Sequence, residues 1–424
     1  MWFGKLPERW EAQKISELFF ERQTKVSDTN FAPLSVSKGG IVPQIATVAK
    51  SNAGDNRKLV RQGDFVINSR SDRRGSSGVS QYDGSVSLIN IALEPRTKCY
   101  SRYYHYLLRS HLFIEEFYRN GRGIVADLWT TRYSEMKTIY LPIPPRDEQD
   151  QIVRYLDWKV SQINKLINAK RRQIALLREQ KRAVINRAVT RVSDGWETKP
   201  LKYWAKSNVQ TLGTNTNPDF KLEYLDISSI GHGYVKQEPT SYNFAEAPSR
   251  ARRIIKNGDT LISTVRTYLR SVCFVDHDIE HCVVSTGFSV LTPDEKVVMP
   301  ELLSFVLTTD AFIDEVIRNS IGVSYPAIND NKLVNLKIGL PCSIHAQQNL
   351  YNKIKARCTI IDKTIDRLQK QIGTIHEYRT RLTSDVLTGK IDVRGLAVPE
   401  YVKVEDTAPN ETELDDKEFM EEAG

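Results

Sequence analysis

Apolar residues recur at alternating steps of four and three along two long stretches of this 424-residue chain. The first contains Leu156, Val160, Ile163, Ile167, Lys170, Ile174, Leu177, Lys181, Val184 and Ala188. The second contains Ile354, Cys358, Ile361, Ile365, Leu368, Ile372, Ile375, Arg379, Leu382 and Val386, each 198 residues after its counterpart. This is the spacing of a coiled-coil seam. Proline is absent from Arg146 to Lys199 and from Cys342 to Val398, so two long helices are predicted. At about 1.5 Å per residue, roughly 44 residues give rods of about 65 Å. Parallel rods would force the intervening segment to carry the chain back along a full rod length, whereas a ~150-residue domain has a radius of gyration of only about 15 Å. Antiparallel pairing removes that demand and predicts a pseudo-two-fold axis. Packing of each stripe on its own globular neighbour is the simpler use of an amphipathic helix; two matching seams favour mutual pairing.

The segments before the helices are rich in short β-prone runs such as FVINS (65–69), TLISTV (260–265) and CVVSTGFSVL (282–291), divided by Gly, Asn and Asp turns. Helical patterns at 101–120 and 300–319 close each one. The fold class expected is α+β, in two tandem copies. LPIPPRDEQDQI at 141–152 and LPCSIHAQQNL at 340–350 lie 199 residues apart, in register with Gly123 and Gly322. Weaker echoes join KLPERWEAQKISELF (5–19) to SDGWETKPLKYWAKS (193–207), and RQGDFVINS (61–69) to KNGDTLIST (256–264). The chain therefore divides into a head at 1–145, a helix at 146–192, a second head at 193–342, a second helix at 343–392 and an acidic tail at 393–424, expected to be disordered. At each Leu-Pro corner the prolines are expected to stop a strand, with Asp147, Glu148 and Asp150 at the N-terminus of the first helix.

The formal charge of +8 conceals an asymmetry. Residues 400–424 hold ten acidic and two basic side chains, which leaves sixteen surplus positive charges on residues 1–399. A body that basic favours an anionic partner, nucleic acid above all. No apolar run approaches the roughly eighteen residues that span a bilayer, and the N-terminus lacks a secretory pattern, so a cytoplasmic protein is expected. Five scattered cysteines without a CxxC pair point to reduced thiols.

Catalytic motifs are missing. Thr388-Gly389-Lys390-Ile391 lacks the spacing and the hydroxyl of a phosphate loop, and neither an (Asn/Asp)-Pro-Pro-aromatic motif nor GxSxG nor HExxH occurs. Cys273, His277, His281 and Cys282 fall within ten residues, but VCFVDHDIEHCVV (272–284) reads as a β-hairpin that would aim them to different faces. The loops after the two Gly-Asp pairs are the candidate DNA-binding elements: Arg70, Arg73 and Arg74 in SRSDRRGSSG, and Arg266, Tyr268 and Arg270 in STVRTYLR. Arginine pairs bidentately with guanine in the major groove, and small residues allow close approach to phosphates. Lys38, Arg122, Arg252 and Arg253 are further basic candidates; solvated basic turns are the simpler explanation of any one of them.

Leu-Pro-x-Pro-Pro-x-x-Glu-Gln heading a long helix, its degenerate second copy, the Gly-Asp strands and the Trp near each head's start together resemble the specificity subunit of type I restriction–modification enzymes, over about residues 5–395. The resemblance implies two target-recognition domains held apart by antiparallel helices, each reading half of a bipartite site in double-stranded DNA. It implies no catalysis in this chain. Two methyltransferase subunits, and translocase–nuclease subunits in some complexes, would bring S-adenosylmethionine, ATP and Mg²⁺. The second corner lacks the second proline and the glutamate. The competing reading is a coiled-coil scaffold with two protein-binding heads and no DNA contact.

Overall fold

The Leu-Pro strands return to the beginning of their own heads. In the computed structural model, which describes residues 1–44, 54–96, 99–123, 129–189, 195–322 and 325–406, strand Tyr140–Ile143 pairs antiparallel with Glu11–Lys14, and Lys337–Pro341 pairs antiparallel with Trp196–Pro200. Each head is thus closed at the point where its helix departs. The helices run Arg146–Val189 and Ile344–Leu387.

The heads repeat one sheet. In the first, the strand order is Phe19–Glu21, Asn90–Pro95, Phe65–Asn68, Ser77–Val79; in the second it is Ala205–Ser207, Phe288–Pro293, Thr260–Ser263, Val272–Phe274. The Gly-Asp pairs turn the chain into the central strands: Gly63 and Gly258 have φ of +92° and +91°, which glycine adopts without Cβ strain. Asp64 then accepts from the Arg61 amide at 2.9 Å and Asp259 from the Lys256 amide at 3.0 Å. Both carboxylates are buried, so these motifs build a turn.

Each closing helical pattern is in fact two helices, Ser101–Leu107 with His111–Arg119 and Pro300–Leu307 with Asp310–Arg318. Ser110 and Thr309 break the run, because their hydroxyls accept from the Phe113 and Phe312 amides and cap the second helix of each pair. The remaining strands differ between the heads. The first adds the three-stranded sheet of Lys25–Val26, Arg57–Val60 and Gly84–Val86 and the hairpin Leu34–Ser37/Gly40–Pro43; the second adds a four-stranded sheet.

The chain forms two compact units, one of residues 1–172 with those from 368 onward, the other of residues 173–367. Within the first unit, Asn164 receives a bond from Arg379 at 2.7 Å and Lys170 donates to Gln371 at 2.8 Å. Partner numbers rise on one helix as they fall on the other, so the pairing is antiparallel. Within the second unit Lys181 bonds Asp362 at 2.8 Å. Of the seam residues, Leu156, Ile163, Ile167, Ile174, Ile354, Ile361, Ile365 and Leu382 are buried, and Leu177, Val184, Leu368, Ile372 and Ile375 are half-buried. The helix ends do more than pair. Ile152, Val153 and Tyr155 join Val386 and Leu387 in the core of the first head, while Ile185, Val189 and Tyr351 join that of the second.

Two expectations are corrected here. Val272–Phe274 and Cys282–Ser285 do not form a hairpin: the former pairs with Thr260–Ser263, the latter lies between Lys221–Leu225 and Ala251–Ile254 in another sheet. Cys273 and Cys282 are free thiols in one apolar cluster, and burial pushes them up to about 11 and about 12. Among the described residues no group of three or more His, Cys, Asp or Glu side chains could hold a metal. Second, residues 393–406 of the tail are ordered against the helices. Gln151 donates to the Val393 and Leu396 carbonyls, and Ser161, Asn164 and Asn168 donate to those of Val402, Val404 and Glu405. Residues 407–424, where most of the tail's acidic side chains fall, lie outside the described residues. No helix among the described residues is long and apolar enough to cross a membrane.

Candidate nucleic-acid interface

The loops after the central strands are held by the same backbone bonds in both heads. In the first head the Thr131 amide donates to the Ser69 carbonyl at 3.0 Å, and Arg122 and Thr130 exchange bonds at 2.9 and 3.0 Å. Arg70 bridges to the same Thr130. In the second head the Ile328 amide donates to Thr264 at 2.8 Å, Ile321 and Ala327 exchange bonds at 2.8 and 3.0 Å, and Val265 bridges to Ala327. Each head therefore gathers two distant loops onto one rim, and the rims occupy corresponding places in the repeat.

On the first rim Arg70, Arg73 and Arg122 are exposed, Arg122 at 85% with Glu135 3.8 Å away. Arg74 pairs with Glu115 at 2.7 Å and lies over the Tyr118 ring. Both members of that pair are about half exposed to solvent, so the bond is weak enough to be exchanged for a phosphate. Lys38 sits exposed in the turn of the Leu34–Pro43 hairpin, where its carbonyl accepts from Arg109. Beside the rim, Trp2, Tyr118, Trp129, Arg74 and Arg119 line an open cavity of about 600 Å³.

On the second rim Arg266 lies over the Tyr325 ring, 4.9 Å from its centroid. Tyr268 is exposed, at the middle of the turn Thr267–Leu269. Arg270 is spent inside the head: its guanidinium meets Asp310 at 2.5 Å and also Asp314. Arg253 is likewise internal, held by Asn208, the Phe288 carbonyl and Asp330. These two depart from the expectation of base- or phosphate-reading arginines, because carboxylates and carbonyls brought from distant segments already occupy their donors. Arg252 lies half-buried over the Phe244 ring.

Sequence reading missed Leu269, Ile321 and Tyr325, exposed at 50%, 71% and 54%. They are stitched to the rim by Thr267, whose hydroxyl lies 2.9 Å from that of Ser320 and whose amide donates to the Pro326 carbonyl at 3.4 Å. Apolar residues read as core from sequence alone; the register of the repeat, which aligns Ile321 with Arg122, is the one signal that pointed to this surface.

The two corners differ in chemistry. Glu148 is buried, accepts from the Trp10 indole at 2.7 Å and pairs with Arg9 at 3.2 Å. In the second corner Gln347 is fully buried, accepts from the Met299 amide at 2.8 Å and donates to the Val297 and Pro341 carbonyls; at the 198-residue offset of the helices it matches Gln149, which is also buried and donates to the Pro144 carbonyl at 2.9 Å. The position of buried Glu148 falls on exposed Ala346 in the second helix, so the glutamine is common to both corners and the carboxylate belongs to the first alone.

No protein-family model matches the chain. It is 34% identical over 147 residues to the type I restriction enzyme HindI specificity subunit of Haemophilus influenzae, an alignment covering 32% of each protein. With the MjaVIII specificity subunit of Methanocaldococcus jannaschii it is 23% identical over 288 residues, 61% of this chain and 64% of the relative. It thus spans 32% and 64% of the lengths of these two relatives. A solved chain, described under the structural basis of complex assembly and conformational transition of the type I R-M system, superposes with a TM-score of 0.58 at 14% identity, covering 91% of this chain and 100% of that one. In sequence this chain is therefore similar to the specificity subunits of type I restriction enzymes, and in fold to that chain of a type I R-M system.

Proposed function

We propose that this chain is the sequence-specific DNA-binding subunit of a type I restriction–modification complex, in which each head reads one half of a bipartite site. The observation that carries the reading is the pair of rims: two unlike sets of side chains mounted on the same backbone frame, as a non-palindromic target requires. The surplus positive charge of residues 1–399 supports it. Methylation of adenine and cleavage belong to partner subunits, which supply S-adenosylmethionine, ATP and Mg²⁺; this chain supplies position.

Salt-dependent binding to duplex DNA tests the reading. Neutralising several phosphates makes log affinity fall linearly with log salt concentration, by roughly 0.9 per phosphate contact. A complex insensitive to salt, or no complex even with the methyltransferase subunits present, would favour a protein-binding scaffold. Mapping methylated adenines in DNA from cells that carry the chain and its methyltransferase should return two short motifs at a fixed separation.

A further inference from the structure

The two rims share a frame and differ in chemistry. Where the first presents Arg70, Arg73 and Arg122, the second presents Tyr268, Leu269, Ile321 and Tyr325 around Arg266. The turn that carries Tyr268 and Leu269 is flanked by two non-glycine residues in the left-handed region, Arg266 at φ +49° and Arg270 at φ +56°. Side chains with a Cβ rarely adopt this conformation, so the turn is strained at both ends. The ion pairs of Arg270 with Asp310 and Asp314 hold the strained turn in place. Leu269 is thus held at the surface by this turn, and Ile321 by its paired backbone bonds with Ala327 on the facing loop.

In the major groove the one apolar group on the base edges is the C5-methyl of thymine. Building on the DNA reading above, we infer that the second head recognises its half-site through thymine methyl groups packed against Leu269 and Ile321, whereas the first head reads by charge and hydrogen bonds. Arg266, within the apolar patch, supplies the cation that a nucleic-acid contact needs. The correspondence of this patch with the arginine rim of the first head favours DNA over a protein partner as its occupant.

The test uses the full chain, with the methyltransferase subunits that co-purify with it, and duplexes carrying a randomised segment made with either thymidine or deoxyuridine. Selection and sequencing should give the same first-head motif from both libraries. The second-head motif from the thymidine library should contain fixed thymines, and uracil at those positions should weaken binding about fourfold per methyl lost. Leu269→Ala should erase that difference while leaving the first motif intact. Equal affinity for both libraries at both motifs would overturn the inference and leave the DNA reading standing. Loss of methyltransferase co-purification in Leu269→Ala, with DNA selection unchanged, would assign the patch to a protein and overturn it as well. Enrichment of no motif from either library would overturn the DNA reading itself.

Discussion

Lys181 of the first long helix donates to both carboxylate oxygens of Asp362 on the second, at 2.8 and 2.9 Å. Carried through the 198-residue repeat, the same two positions become Arg379 and Asn164, which bond at 2.7 Å. Polar residues that interrupt an apolar seam and find each other fix its register. Both members of the Lys181–Asp362 pair keep substantial solvent contact, at 26% and 45% exposure. A double-mutant cycle should therefore give a coupling below about 1 kcal/mol, and replacing both by leucine should leave stability unchanged or raise it. A coupling of several kcal/mol in urea unfolding would contradict this.

Residues 393–406 clamp the two helices of the first unit. Asp406 accepts from Arg379 at 3.0 Å and also pairs with Arg171, so one carboxylate ties both helices of the first unit. Removing residues 398–424 strips the hydrogen bonds to Ser161, Asn164 and Asn168 and both ion pairs. We expect a loss of about 1–3 kcal/mol, seen as a lower Tm. An unchanged Tm would mean that the strap merely rests there.

Arg270 should act on the second half-site without touching DNA. Arg270→Ala frees the strained turn, so methylation mapping should show relaxed specificity in one motif and an unchanged other. Lysine cannot fork to both Asp310 and Asp314 and should rescue only in part. Equal relaxation of both motifs would break the assignment of one rim to one half-site.

Stability should fall on mild acidification through His105. Burial, reinforced by the nearby Arg109 and Lys403 charges, lowers this imidazole from 6.5 to about 4. Between those values the unfolded chain takes up a proton that the folded chain refuses, so the native state loses up to about 3 kcal/mol as pH drops from 6.5 towards 4, with no contribution above 6.5. Urea midpoints measured across that range should flatten in His105→Gln.

Under the bipartite reading, helix length sets the unread spacer. One heptad added to both helices lengthens each by about 10 Å, or roughly three base pairs. The spacer in the mapped site should grow by that amount while both motifs persist; altered motifs would show that the rims depend on helix length.

The helices, their seam and the tandem copies were legible because periodicity is a local property: spacing by three and four residues declares a helix face whatever surrounds it. The antiparallel sense followed from chain connectivity. What only the tertiary structure decided is which polar and apolar groups met a partner. Arg253 and Arg270 read like solvated basic residues in the sequence, yet Asp330, Asp310 and Asp314 arrive from segments 40 to 77 residues away and occupy them. Residues 393–406 looked like a solvated tail because backbone groups accept bonds from Ser161, Asn164 and Asn168 without leaving a pattern in their own side chains. Leu269 and Ile321 looked like core, and only the approach of two loops separated by about a third of a head, on a frame already used for arginines, placed them at the surface.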